Sequence, residues 1–268
     1  MGDGPRRGGR SASARALNVE KFILRITAYL PLVILALIWE ATSRLGLVSV
    51  RLLPPFSDVV LAFVDLLRTG ELLTNGIASM RRAFLGFAIA VVSGTILGAA
   101  MALVPWVRSA LDPIVQIFYP LPKSALIPLV LVWFGLGDAS KTFLVFLGCL
   151  LPMILSTYNG MRGVDPVMGW SARSLGASRL DVVREVMFPA ALPQILTGLR
   201  TTIAFMFLLM VSSELVIATN GLGYMIGAFG DQGSYSAMFA TILVVTGLGF
   251  AADRGFLALT DHLLRWRA

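Results

Sequence analysis

SARSLGASRLDVVREVMFPAALP, Ser171 to Pro193, is the most polar long segment in the second half of the chain, and apolar runs flank it on both sides. Just before it, Asp165-Pro166 predicts a helix start, because aspartate accepts from orphan backbone N–H groups and proline tolerates the first helical position. That helix is expected to run to about Leu175. Gly176 fits its C-terminal cap, where a left-handed backbone costs glycine little. Ser178, with Asp181 three residues on, predicts the cap of a second helix. On that helix Val182 and Val186 form one apolar line, and Leu180, Val183 and Met187 the adjacent one, while Asp181, Arg184 and Glu185 stay polar. Pro189 is expected to end it and Pro193 to begin the next apolar run. Connections that merely join two elements are usually about 2–8 residues long. The stretch 162–193 is far longer, so a short, rigid helix–turn–helix with one face free for a cytosolic partner is expected.

The surroundings decide what kind of protein carries this unit. The 268 residues are 57% hydrophobic and 14% charged, with a mean hydropathy of +0.81. Soluble domains are about a quarter charged, so composition alone places the chain in the membrane class. A membrane-crossing helix needs about 20 apolar residues. Runs of that kind lie at 24–43, 83–104, 112–135, 142–160, 195–218 and 236–257, which predicts an all-α integral membrane protein with six transmembrane helices. Residues 1–21, rich in Gly, Ser and Arg, are expected to be a disordered basic tail, followed by a transmembrane domain over 22–268. The first span is longer than a signal peptide's apolar region and has no clear small-residue cleavage site, so it is expected to stay uncleaved. With both termini in the cytoplasm, fourteen Lys and Arg fall on the inner side and six on the outer, the six being Arg44, Arg51, Arg68, Arg81, Arg82 and Lys141. The positive-inside rule therefore puts the unit at 162–193 in the cytoplasm. The basic balance comes from these loops, with no basic face carrying interleaved aromatics, and no nucleic-acid partner is expected.

Few residues suggest chemistry. Cys149, the one cysteine, is expected to pack in the fourth span, and His262 to lie at the tail near Arg265. PPFSDVVLAFVDLLRTGELL, from Pro54, predicts a helix on the membrane surface, with Ser57 as N-cap and Val60, Phe63, Val64 and Leu67 as its apolar face. Gly94, Gly98 and Ala102 stand four apart, a spacing that lets helices approach closely in lipid, and packing within the bundle is expected of them. The third span is interrupted by Pro113, Pro120, Pro122 and Pro128 and carries Lys123. Such breaks are tolerated only where neighbours or a water-filled cavity satisfy the freed backbone groups. Lys123 is either a functional cation of a translocation pathway or a side chain that snorkels or pairs with a carboxylate such as Glu214. Asp138 or Ser140 is expected to cap the fourth span. Glu214, at the outer end of span five beside Ser212 and Ser213, is expected to be a hydrogen-bond hub, the alternative being part of a gate. NGLGYMIG after it reads as a flexible turn.

Here the residues resemble a known family. The helix–Gly–helix unit is similar to the EAA loop of permease subunits of binding-protein-dependent ABC importers, whose pattern is Glu-Ala-Ala, three residues, Gly, nine residues, Ile-x-Leu-Pro. Ala172 matches the second alanine, Gly176 the glycine, and Val186-Met187-Phe188-Pro189 the closing group. Trp170 and Ser171 stand in place of Glu and the first Ala. PLPKSALIPLVLVWFGLGDASK, LPMILSTYNGMRGV and SELVIATNGLGYMI resemble the nitrate, sulfonate and taurine branch of these permeases. The resemblance implies a type I ABC importer permease fold in the bacterial cytoplasmic membrane. It also implies a homodimeric pore with a second permease copy, a cytosolic ABC ATPase dimer and an extracytoplasmic substrate-binding protein. The ATPase-coupling residues it implies are Ala172, Gly176, Ala177, Ser178, Arg179, Asp181, Arg184 and Pro189; Lys123 and Glu214 are the pathway candidates. No cofactor is expected on this chain, ATP and Mg belonging to the partner ATPase. Consistently, no G-x-x-x-x-G-K-[ST] phosphate loop occurs. An ion-gradient-driven secondary transporter would show related halves and several intramembrane carboxylates. An intramembrane enzyme would need a nucleophile–base or metal constellation that one His and one Cys do not supply.

Overall fold

A computed structural model describes residues 30–265. The tail expected at 1–21, the first residues of the span at 24–43 and the last three residues lie outside the described part. All regular structure among the described residues is helical: α1 (30–44), α2 (Phe56–Arg68), α3 (Glu71–Leu103), α4 (Pro105–Phe118), a 3-10 turn (Lys123–Leu126), α5 (Ile127–Phe134), α6 (Asp138–Arg162), α7 (Pro166–Ser174), α8 (Arg179–Asp181), a π-turn (Val182–Met187), α9 (Phe188–Ile217), α10 (Leu222–Asp231) and α11 (Tyr235–Leu263).

Two compact units divide the chain, 1–62 and 63–268. In the first, the Glu40 carboxylate accepts from the Ser57 N–H at 3.0 Å and its hydroxyl at 2.9 Å, and also pairs with Arg44. The Trp39 indole donates to the Pro54 carbonyl at 2.8 Å, with Phe56 against its ring. Ser57 therefore is not the N-cap expected from its position: α2 starts at Phe56, and Glu40 takes the serine into the first turn. Val60, Phe63 and Leu67 of α2 are exposed, as an apolar face turned to lipid requires, whereas Val59 and Leu66 are buried.

The second unit is built around α6. Half of the most apolar stretch of α6 is buried (50%), against 11% in α11. α6 contributes to four buried clusters: Val145 and Cys149 pack with Ala83, Ala90, Met206 and Leu209; Met153 and Met161 with Ala191 and Ile195; Ile154 with Met101 and Val115; Leu144 with Ile127 and Val130. Cys149 is thus a packing residue, its thiol 3.6 Å from the Thr202 carbonyl. The close approach of α3 to α6 runs along glycines. A Cβ on Gly86 would lie 2.5 Å from the Thr142 carbonyl oxygen, on Gly94 2.8 Å from Met153 Cβ, and on Gly98 2.5 Å from the Ile154 carbonyl oxygen. The spacing at Gly94 and Gly98 is bundle packing, as expected, and the close contact extends about two turns further, to Gly86.

Three spans differ from expectation. Helix α3 starts at Glu71, well before the predicted 83, because the polar turn Glu71–Arg82 is also helical. The third span is not one helix: α4 and the turn-plus-α5 segment are bent by 90°, at the run Tyr119-Pro-Leu-Pro122, where Pro120 and Pro122 each remove a donor. The fifth does not begin anew at Pro193. The chain is helical from Arg179 through Pro189 and Pro193 to Ile217. The π-turn just before Pro189 shifts the hydrogen-bond register where proline has no N–H to give. Among the described residues four helical stretches are long and apolar enough to cross a membrane, and the bent pair makes a fifth; the sixth expected span is described only as α1.

A buried ion pair closes one end of this unit. Arg82 Nη2 lies 2.7 Å from Glu214 Oε1, with side chains 2% and 1% exposed. Glu214 Oε2 accepts from the Ser79 hydroxyl at 2.7 Å and the Gly223 N–H at 3.0 Å. Arg82 also reaches Asp138, 3.0 Å away, and the side chain and carbonyl of Asn220. The Gly221 N–H donates to Asn75 and the Leu222 N–H to Ser79. Gly221, at φ +117°, leaves no room for a side chain, since its Cβ would be 2.5 Å from Glu214 Oε2. Glu214 is the hub expected, while NGLGYMIG is not a flexible turn: its first residues are bonded to α3 and α9, and the rest form α10. Asp138 pairs with Arg81 and Arg82 instead of capping α6, and the Ser140 hydroxyl donates to the Gly137 carbonyl, Gly137 being the N-cap.

Two stability predictions follow from these contacts. Gly98→Ala forces a methyl into α6 and is expected to destabilise by about 1–3 kcal/mol. Gly76→Ala, in the same helix with open space around it, is expected to be neutral or stabilising by up to about 1 kcal/mol; thermal unfolding in detergent compares them. Arg82→Met leaves a buried carboxylate unpaired and is expected to cost about 3–5 kcal/mol. The double variant Arg82→Met/Glu214→Leu should cost less than the sum of the two singles in the same measurement.

Candidate coupling element and cavity

The unit between α6 and α9 folds by local rules. The Asp165 carboxylate accepts from the Val167 N–H at 2.9 Å, capping α7, with Pro166 in its first turn. At the other end Gly176 stands at φ +93°. The Gly176 N–H donates to the Arg173 carbonyl and the Ala177 N–H to the Ala172 carbonyl, the paired bonds of a Schellman cap. Ser178 and Asp181 form a reciprocal capping box, at 2.9 and 3.2 Å. Hydrogen bonds from the Ser178 hydroxyl and backbone hold the Asp181 carboxyl below its ordinary range, so the box is intact at neutral pH and weakens as the carboxyl protonates in acid.

Val182 is buried against Gly169, and Val183 and Met187 pack onto the cluster of Met161, Ala191 and Ile195. Leu180, expected on that inward line, is exposed, because the π-turn begins two residues later and rotates the following side chains past it. Exposed apolar groups crowd the tip: Leu175 is 89% exposed, with Trp170, Val167, Met168 and Leu180 around it. Arg173, Arg179, Asp181 and Arg184 are exposed beside them, and Ala172 and Ala177 half-buried. Pro189 lies in the first turn of α9 and transmits the helix instead of ending it.

Helix α9 leads from this tip to a cavity of about 610 Å³. Thr201, Phe205, Leu208, Leu209 and Ser212 of α9 face α6 residues Leu151, Ser156 and Asn159 across it, and Tyr119, Lys123 and Ser124 of the α4–α5 break close it. Lys123 is the one charged residue on this lining. Its ammonium donates to the carbonyls of Phe118 (2.6 Å), Tyr119 (3.0 Å) and Leu121 (2.8 Å). It therefore ties off the C-terminal end of α4, and the pairing with Glu214 considered from sequence does not occur: Glu214 pairs with Arg82. Glu214 and the buried Lys141, whose ammonium donates to the Leu136 carbonyl, are not on the cavity lining. Among the described residues no group of three or more His, Cys, Asp or Glu is placed to hold a metal.

Sequence reasoning missed Arg82, Ser79 and Asn75. Arg82 counts among the outer-side cations on sequence and the other two carry no expectation, although a partly polar stretch running directly into an apolar helix is a signal that they enter the bundle. It also missed Ser156, Asn159 and Thr201, whose polar side chains are unremarkable until α6 and α9 bring them to one space.

The family model of binding-protein-dependent transport system inner membrane components matches residues 90–264. The chain is similar to the taurine transport system permease protein TauC of Escherichia coli (strain K12), 35% identical over 240 residues, 88% of this chain and 87% of that protein. It is also similar to the provisionally named aliphatic sulfonates transport permease protein SsuC of the same organism, 36% identical over 252 residues, 94% and 95% of the two chains. Among solved structures, the MetNI methionine ABC transporter in an inward-facing conformation shares the fold, with a TM-score of 0.64 at 17% identity over 73% of this chain and 97% of that one. The capped helix–Gly–helix unit, the broken span and these matches agree: the chain belongs to the binding-protein-dependent transport system inner membrane components, the non-catalytic permease subunits of ATP-driven importers.

Proposed function

We propose that this permease moves a small anion, of the sulfonate class, through the cavity beside Lys123, and that the tip around Gly176 is held by a cytosolic ATPase. The observation that carries the proposal is helical continuity. The candidate membrane span runs unbroken from Arg179 to Val216, 38 residues, or about 57 Å at 1.5 Å per residue. A displacement of the exposed tip is therefore delivered by one helix to the wall of the cavity. ATP and Mg at the ATPase supply the energy. On this chain Ala172, Gly176, Ala177, Ser178, Arg179, Asp181, Arg184 and Pro189 form and orient the docking element. The exposed Leu175 provides an apolar knob for a groove, and the flanking arginines provide charge for its rim.

Two observations support an anion. Lys123 alone puts charge on the lining, and hydroxyls and an amide from Tyr119, Ser124, Ser156, Asn159, Thr201 and Ser212 stand among its apolar residues. The volume suits a small polar solute. The sulfonate class follows the names of the two relatives above. A homodimer with a second copy of this chain, a binding protein on the outer face and both termini in the cytoplasm, in the bacterial cytoplasmic membrane, complete the assembly. Residues 22–268 act as one permease domain within it.

Gly176→Val strains a left-handed backbone by about 1–2 kcal/mol with no steric neighbour to blame. In proteoliposomes containing the assembled importer it is expected to lower solute moved per ATP hydrolysed, and Gly176→Asn to lower it less; an unchanged ratio in Gly176→Val would remove the docking role. Lys123→Ala is expected to lower taurine uptake severalfold and Lys123→Arg to retain most of it. Uptake equal to wild type in both variants would remove the charge from the pathway.

A further inference from the structure

A second polar cavity, of about 510 Å³, lies where α3 passes into α4 and α6 ends, at the end of the bundle that carries the α7–α8 unit. Arg108 of α4 and Arg162 of α6 line it, with the Ser109 hydroxyl and Asp112. Both guanidiniums lie over the same ring: Arg108 is 5.6 Å and Arg162 5.8 Å from the centroid of Tyr158, and Arg162 Nη1 donates to the Tyr158 hydroxyl at 3.0 Å. Among the described residues neither arginine joins an ion pair. Asp112, the nearby carboxylate, accepts from Gln116 at 3.1 Å instead. Two like charges are thus gathered on one aromatic platform without a carboxylate between them.

Such an arrangement costs repulsion unless an anion is shared, and a guanidinium pair matches phosphate oxygens in geometry as well as charge. The setting selects the source of that phosphate. Trp106, one turn from the cavity, is 74% exposed, as an aromatic anchor at headgroup level is. Leu103, Ile96 and Val92 of α3 are exposed and apolar, a surface for acyl chains leading away from the charged pair. Basic pockets between membrane helices bind anionic headgroups in this way.

We infer that Arg108 and Arg162 bind the phosphate of an anionic phospholipid between α3, α4 and α6. The site rests on the chain's membrane placement alone, and lipid retention is read separately from uptake, so it can fail while the transport proposal stands. The test is native mass spectrometry of the purified full-length chain titrated with phosphatidylglycerol, phosphatidylcholine or inorganic phosphate. Wild type should retain phosphatidylglycerol over phosphatidylcholine. Arg108→Gln/Arg162→Gln should weaken that retention by about 10- to 30-fold. Arg108→Lys/Arg162→Lys, which keeps the charge, should retain most of it. Arg254→Gln removes another arginine stacked on an aromatic ring, at Phe250, and should change nothing. Equal retention by wild type and the glutamine variant, or equal loss in Arg254→Gln, overturns the site. Displacement of the lipid by inorganic phosphate at comparable concentration overturns the lipid as its ligand, in favour of a soluble anion.

Discussion

In lipid a backbone N–H or C=O has no water to turn to, and this chain is organised by that constraint. Three places show how the demand is met. At the α4–α5 break the Lys123 ammonium takes three carbonyls. At the loop before α10 the N–H groups of Gly221, Leu222 and Gly223 are taken by Asn75, Ser79 and Glu214 in turn. Around Pro189 the helix does not stop at all, and a π-turn absorbs the missing donor.

The local rules were legible in the sequence because they are written in adjacent residues. Asp165-Pro166, Gly176 and the Ser178–Asp181 pair specify caps within a few positions of one another, and the structure forms each of them. Gly94 and Gly98 declared a close helix contact, though only the fold named α6 as its partner. Arg82 and Glu214, by contrast, are separated by most of the bundle in sequence, and the polar stretch that leads Arg82 into an apolar helix does not name its partner. Counting it among outer-face charges was consistent with its end of the helix and blind to its burial. The expectation that Pro189 ends one helix and Pro193 begins the next fails for a different reason: proline breaks a helix in the average case, but here a register shift at Val182–Met187 precedes Pro189 and the helix runs on through both.

The same geometry divides rigid from movable parts. The glycine seam holds α3 to α6 with no tolerance for a methyl group, so these two helices behave as one body. The α8–α9 stretch is anchored to it by the methionine-rich cluster of Met153 and Met161 near the tip and by Glu214 at the far end. Met side chains repack easily, whereas a desolvated ion pair does not yield by degrees. Motion of the tip is therefore accommodated at the end that carries it and resisted at the other. That is the asymmetry a hinge requires.

The bonding of Lys123 has a consequence for passage. An ammonium has three donors, and here all three are occupied by the chain's own carbonyls. On the route proposed above, a solute entering the cavity would meet the field of a positive charge but find no free N–H on it to grip. Attraction without a strong directional bond favours entry without retention, the balance that any conduit needs. Discrimination among solutes would then fall to the hydroxyls and amide around the cavity and to whatever delivers the solute, with the lysine a slope in the potential and not a resting place.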